Sequence, residues 1–285
     1  MDNKVVIITD SMSCLNRELV DQNGIRIVPA TLHFAGKVYR DWVEITPSEA
    51  YELFLKDPED FSTSAAIPMD YIEAYREFGK QGKDILCITL SSGLSGMYDV
   101  ARTARGQVNE ELSSISIEVF DSRLSTAAEG FVALTAAKTA AEGKNLQEVI
   151  KTAEEVRDRA NFFALLDTVR YVYRSGRIPK IASQIGALTG IKPILTMSSG
   201  VIRFAGAVRN KKRGTDRLLE ILRSRVGQDA VHVAVMHAYA PEEANSLMER
   251  ISSEFNCVEL WLTEFSPVMG YVCGTGTVGF AFYKD

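Results

Sequence analysis

Hydroxyl and glycine residues gather at a point where a buried strand gives way to a helix. Asp84 to Leu90 reads as an apolar strand that runs into Ser91-Ser92-Gly93-Leu94-Ser95-Gly96 and then a helix reaching about Ala104. A loop of that kind turns free backbone N–H groups and the positive end of a helix toward whatever binds there. Ser62-Thr63-Ser64 stands before a second helix, Met69 to Gly79, and Asp10-Ser11 closes the first apolar run, Lys4 to Thr9. Capture of an anion, a carboxylate or a phosphate, is the chemistry these residues suit. Hydroxyls donate hydrogen bonds, and glycines let a ligand come close to the backbone. Ser and Thr are also the preferred helix caps, so each loop alone has a second, purely structural reading. Several such loops in one half of the chain point to a site, and spacing leaves its ligand open.

Other chemistries are excluded. Gly274-Thr275-Gly276-Thr277-Val278-Gly279 matches the dinucleotide pattern, but a β-like run follows it where a helix is required. Neither a phosphate-binding P-loop nor a G-x-S-x-G elbow occurs. His33, His232 and His237 have no metal-ligand spacing among themselves or with Cys14, Cys87, Cys257 and Cys273, so no metal is expected. The cysteines form no C-x-x-C pair and read as reduced thiols. A net charge of −5 argues against a general nucleic-acid binder, and the basic run Arg209, Lys211, Lys212, Arg213 is local. With no evident leader and no apolar stretch long enough to span a bilayer, the expected location is the cytoplasm, with no stable membrane insertion.

The elements that must position these loops alternate. Strand, helix and strand open the chain (Lys4 to Thr9, Cys14 to Gln22, Ile25 to Pro29). Thr46-Pro47-Ser48-Glu49 starts a helix that runs to about Leu55, with a Thr cap, Pro at the first helical position and Glu three residues after the cap. A polar loop, Asp57 to Pro68, precedes the helix at Met69. Ile115 to Asp121 is a further strand, and the alanine-rich Ser125 to Glu142 is a buried helix. The later half has a strand at Asn161 to Leu166, two short helices flanking Ser175-Gly176-Arg177-Ile178-Pro179, and a hairpin, Ile191 to Met197 with Val201 to Phe204. Thr215 to Val226, Ala230 to His237, Pro241 to Phe255, Cys257 to Leu262 and Val278 to Tyr283 complete it. The fold class is therefore α/β with two domains: residues 1–160, a parallel Rossmann-like sheet with helices, and residues 161–285, an α/β unit with a mixed sheet.

These segments resemble, in order, the DegV family. Ile7-Ile8-Thr9-Asp10-Ser11 is similar to its opening strand and T-D-S signature, and Tyr39-Arg40-Asp41 with Ile45-Thr46-Pro47 to the segment before its first long helix. Thr63-Ser64 stands where T-S-Q-P is usual. Leu90 to Tyr98 resembles the most recognisable motif, with Met97 in the place of Thr. Arg174-Ser175-Gly176-Arg177-Ile178, Ile191-Lys192-Pro193-Ile194 and Val208-Arg209 match later landmarks.

The resemblance implies a non-enzymatic binding protein without cofactor, holding a long-chain fatty acid such as palmitate, stearate or oleate between two domains. It implies that Thr63 and Ser95 bind the carboxylate, helped by Ser64, Ser92 and Gly96. It also implies, for some members, a role as the substrate-presenting subunit of a fatty acid kinase, with Arg209 docking the kinase subunit. Two departures stand out. Thr63-Ser64 continues as Ala65-Ala66, and the late glycine-rich loop near the ligand reads Val272-Cys273-Gly274, with valine where the family has histidine. Burying a sixteen-carbon chain yields roughly 12 kcal/mol before ordering costs, so a few hydroxyl bonds suffice for the head group. Two rival readings remain: an acyl hydrolase using Ser95, which needs a base that no histidine obviously supplies, and a binder of a small phosphorylated or carboxylate metabolite.

Overall fold

The computed structural model describes residues 4–175 and 190–284. The first of the two expected short helices is α7 (Arg170–Ser175), and the turn at Gly176 to Pro179 and the second helix lie outside the described residues. Continuous apolar runs become strands covered on both faces. β1 (Val5–Asp10), β2 (Arg26–Val28), β6 (Asp84–Thr89) and β7 (Ile117–Asp121) form a four-stranded parallel sheet in the order β2-β1-β6-β7. Its crossover helices are α1 (Arg17–Asn23), α3 (Pro68–Gly79) and α4 (Met97–Val108).

A six-stranded mixed sheet is built from β8 (Asn161–Leu165), β9 (Lys192–Ser198), β10 (Val201–Val208), β11 (Val231–His237), β12 (Cys257–Glu264) and β13 (Val278–Lys284), in the order β10-β9-β8-β13-β11-β12. The β9–β10 hairpin closes through Ser199 and Gly200, both at positive φ (52° and 75°), as a two-residue turn requires. α8 (Lys211–Val226) and α9 (Pro241–Glu254) cover one face through Leu218, Leu222, Leu247 and Ile251.

α5 (Thr126–Ala141) lies against β1 and β6 on one side and β8, β11 and β13 on the other. That position explains its composition, because a helix buried all round can have no polar stripe. α6 (Leu146–Arg159) runs beside it and starts with an Asn145–Glu148 capping box that the sequence reading passed over. At α2 (Pro47–Lys56) the expected Thr46–Glu49 box is present with Pro47 in the first turn.

Helix α6 escaped the sequence reading, and so did a small sheet. β3 (Thr31–Phe34), β4 (Lys37–Arg40) and β5 (Ser62–Ser64) make a three-stranded antiparallel sheet, so Asp57 to Pro68 is not wholly a loop. These strands are three or four residues long, too short for alternation to register. Beneath them Phe34, Phe54 and Phe61 pack as a small separate cluster with Tyr171 and Tyr271. A second correction concerns the late loop: Val272 and Cys273 end a helix, α10 (Pro267–Cys273), and only Gly274 is outside it. Gly270 permits that helix to pack, since a Cβ there would sit 2.2 Å from the Tyr51 ring.

Candidate functional site

The carboxyl ends of β1 and β6 open onto a slot whose far wall is the mixed sheet, the place where open α/β sheets take ligands. Met12 from the turn after β1, and Leu90, Leu94 and Ser95 from the loop after β6, form one side. Phe162 and Ala164 of β8, with Leu195 of β9 and Ile202 of β10, form the other. Strand alternation sorts β8: Phe162 and Ala164 face the slot, whereas Phe163 and Leu165 enter the core under α8 and α9. Thr63, Ser64 and Ala65 from β5 and its exit, and Val268, Met269, Val272 and Cys273 of α10, complete the lining.

The cavity volume is about 60 Å³, a confined space walled mainly by apolar side chains. Burial pushes the Cys273 thiol up to about 12, so it stays neutral and counts among the apolar lining. Among the described residues no lysine or arginine lines the slot, and the hydroxyl-bearing residues of the lining are Thr63, Ser64 and Ser95.

These hydroxyls are not equivalent. Thr63 pairs with Leu32 across the small sheet and shares its inward face, and its hydroxyl has no hydrogen-bond partner among the described residues. Ser64 points the other way, and its Oγ lies 3.0 Å from His33 Nε2. Ser95 Oγ accepts a long bond from the Met97 N–H, 3.4 Å, which leaves its own proton available to a ligand. His33 is thus the histidine that reaches a serine, and its partner Ser64 is exposed; none of the described residues supplies Ser95 with a base.

Four further residues named from the sequence sit away from the lining. Ser92 Oγ donates to Asp121 Oδ2 at 2.6 Å, and Asp121 Oδ1 also accepts the Ser92 N–H at 3.2 Å. Gly96 precedes α4 at an exposed position with open space around it. Gly274, at φ +82°, lies against the Tyr171 ring, where a Cβ would come within 2.3 Å. Arg209 is exposed just beyond β10. Nearby, Lys211 bridges Asp167 and Glu243 at 3.7 and 2.7 Å, so part of the basic run is spent within the fold.

Glycine in the Ser91–Gly96 loop serves packing rather than ligand approach. A Cβ on Gly93 would sit 2.7 Å from the Gly200 carbonyl, and Ser91 Oγ donates to that same oxygen at 2.7 Å. The loop is thereby pinned to the tip of the β9–β10 hairpin.

The Thr9-Asp10-Ser11 side chains also turn into the protein. Thr9 Oγ1 donates to Glu129 Oε1 at 3.2 Å, and Ser11 Oγ accepts the Ala30 N–H at 3.1 Å. Asp10 Oδ1 accepts the Met12 N–H at 3.0 Å and Oδ2 the Leu90 N–H at 2.8 Å. Asp41 accepts from Ser266 Oγ at 2.6 Å and hydrogen-bonds Ser11, which anchors the start of α10. Burial, opposed by these hydrogen bonds, raises Asp10 to about 7 and Asp41 to about 6. Sequence reasoning placed Asp10-Ser11 at the mouth of a site; a wholly buried strand, β1, was the signal that its terminal residues are buried too.

The chain belongs to the DegV family, whose model, described as an uncharacterised protein family, matches residues 4–285. A DegV domain-containing protein of Clostridium perfringens is 31% identical over 99% of both chains. The crystal structure of DegV from Bacillus subtilis, described as a fatty acid binding protein, covers 100% of both chains at 29% identity with a TM-score of 0.89. A stearic acid-binding protein from Eubacterium ventriosum superposes with a TM-score of 0.91 at 26% identity, covering 98% of this chain and 97% of its own.

Proposed function

We propose that this protein binds one long-chain fatty acid, its tail in the slot and its carboxylate on Thr63 and Ser95. The observation that carries the reading is the bore itself: confined, apolar along β8, β9, β10 and α10, with hydroxyls and no cation among the described residues that line it. A chain of methylenes satisfies such a lining, gaining about 0.8 kcal/mol for each CH₂ withdrawn from water. A sugar phosphate would leave its hydroxyls unpaired against Phe162, Leu195 and Met269, a cost of roughly 1–3 kcal/mol for each polar group. The Bacillus and Eubacterium relatives, described as a fatty acid binding and a stearic acid-binding protein, support the same ligand class.

In this reading the protein acts in two units, residues 1–160 and 161–285, with the slot between them. It carries its ligand without transforming it, and the cytoplasm is its place of work. Presentation to a kinase subunit is the finer form of the proposal. Arg209 is then the exposed docking residue, and Val272, a slot-lining apolar residue, contributes no head-group bond. The test is organic extraction of purified protein followed by mass spectrometry. A C14 to C18 acid at close to one per chain is expected; no acid on extraction, with no uptake of added palmitate or oleate, overturns the proposal.

A further inference from the structure

We propose that Asp10 and Glu129 form a buried acid pair that holds one proton between them and positions the two backbone segments, at Met12 and Leu90, that line the slot. Both carboxyls are fully buried, Asp10 at the end of β1 and Glu129 in the first turn of α5. The two side chains lie beside each other, and neither has a cationic partner among the described ion pairs. Glu129 Oε1 is occupied by the Thr9 hydroxyl, while Oε2 is buried with no donor in reach. Two bare carboxylates in contact without water or a counter-charge repel strongly, and each also bears a desolvation cost. A proton on Glu129, directed at Asp10, removes one charge and turns the unpartnered oxygen into a donor.

Asp10 then accepts three hydrogen bonds: two backbone amides and the Glu129 hydroxyl. The two amides are what give the pair a role beyond stability. Met12 and Leu90 belong to the ends of neighbouring parallel strands, just where these diverge, and both contribute to the slot lining. One carboxylate therefore sets the separation of the two segments, and Leu90 begins the loop that carries Ser95. Among the described residues, the groups facing the pair from other elements add no positive charge. They are Asp41 after β4, Cys14 after β1, Tyr71 on α3, Cys87 on β6 and Asp121 on β7. Tyr71 is itself buried, with a hydroxyl that meets no partner. Burial moves Glu129 well above the carboxylate range, in the same direction as the geometry.

This inference rests on the fatty-acid reading only for what the slot holds, so its first test needs no ligand. In protein labelled with ¹³C at Asp and Glu carboxyls, Glu129 should keep the chemical shift of a protonated acid at pH 8, while Asp10 shows an ionised one. In Glu129→Gln, whose amide can donate to Asp10 and accept from Thr9, the slow hydrogen exchange of the Met12 and Leu90 amides should persist. In Asp10→Asn one of those amides faces an NH₂ group, and its exchange should accelerate at least ten-fold while the β6 amides Ile85 to Cys87 change little. Palmitate affinity should follow: within two-fold for Glu129→Gln, and about ten-fold weaker for Asp10→Asn. Both carboxyls ionised at pH 8 in the wild type would overturn the pair, whatever the variants do. Unchanged exchange at both amides in Asp10→Asn would overturn the positioning role, even if the protein binds no lipid at all.

Discussion

Removing the two donor hydroxyls tests the head-group assignment directly. Thr63 presents a hydroxyl with no partner among the described residues, and Ser95 one whose proton is uncommitted, so each can give a carboxylate one charge-assisted bond. Such a bond in a partly desolvated site is worth roughly 1.5–3 kcal/mol, or about ten- to 150-fold in affinity. Both serve one carboxylate, so the effects need not add, and about 100-fold is the expectation for Thr63→Ala with Ser95→Ala. The tail is untouched, because the apolar lining comes from other residues. Among the described residues the hydrogen bond lost is the 3.4 Å one from the Met97 N–H, which costs at most about 1 kcal/mol as a weak cap. Delipidated protein is titrated calorimetrically with palmitate and with methyl palmitate. The ester keeps the tail and lacks the charge. The double variant should lose about 100-fold for the acid and less than about three-fold for the ester. Equal losses for both ligands would show damage to the bore instead, and no loss for the acid would place the carboxylate elsewhere.

Three further outcomes follow from the same geometry. Ala65→Phe puts a ring into the bore beside Thr63, so extracted lipid should shift from C16–C18 to acids shorter by several carbons, read by mass spectrometry; an unaltered profile would remove Ala65 from the path. Asp41 has a folded value of about 6 against 3.8 for the ordinary group, so its stabilising contribution is full below 3.8 and lost as pH rises through 6. Asp41→Asn removes that dependence, and the variant should gain on the order of 3 kcal/mol on the wild type between pH 4 and pH 7 in urea unfolding; parallel pH profiles would refute this. Val272→His inserts an imidazole into the lining and should leave palmitate affinity within about five-fold while raising acyl-phosphate formation by a fatty acid kinase subunit. Wild type turning over as fast as the histidine variant would end the idea that valine limits presentation.

Much of the frame was legible because burial writes itself into composition. β1 and β6 read as strands since both their faces are covered, and α5 read as a buried helix since both sheets press on it. The Thr46–Glu49 box and the Ser199–Gly200 turn are local chemistry, and local chemistry survives in one sequence. The small β3–β4–β5 sheet was not legible. Its strands are too short for a period, and its stability comes from Phe34, Phe54, Phe61 and Tyr271, which are distant in the chain. Thr63 was identified as a site residue, but only the register with Leu32 separates its inward hydroxyl from the outward Ser64.

A shared residue type explains the remaining misplacements. Serine, aspartate and glycine at a strand end suit a ligand, and they suit equally the task of holding two diverging loops. Direction of burial separates the two uses. Ser91 and Ser92 spend their hydroxyls on the Gly200 carbonyl and on Asp121, and Gly93 lets the hairpin tip close on the loop. Asp10 spends both oxygens on the Met12 and Leu90 amides. What those contacts leave over is Ser95, held in place by all of them and still owning a proton to donate. A binding loop of this kind needs many fixed polar residues to free one, because a hydroxyl that aims at a ligand must first be prevented from turning to its own backbone. Mutating the fixing residues should therefore weaken binding nearly as much as mutating Ser95 itself, although none of them touches the acid.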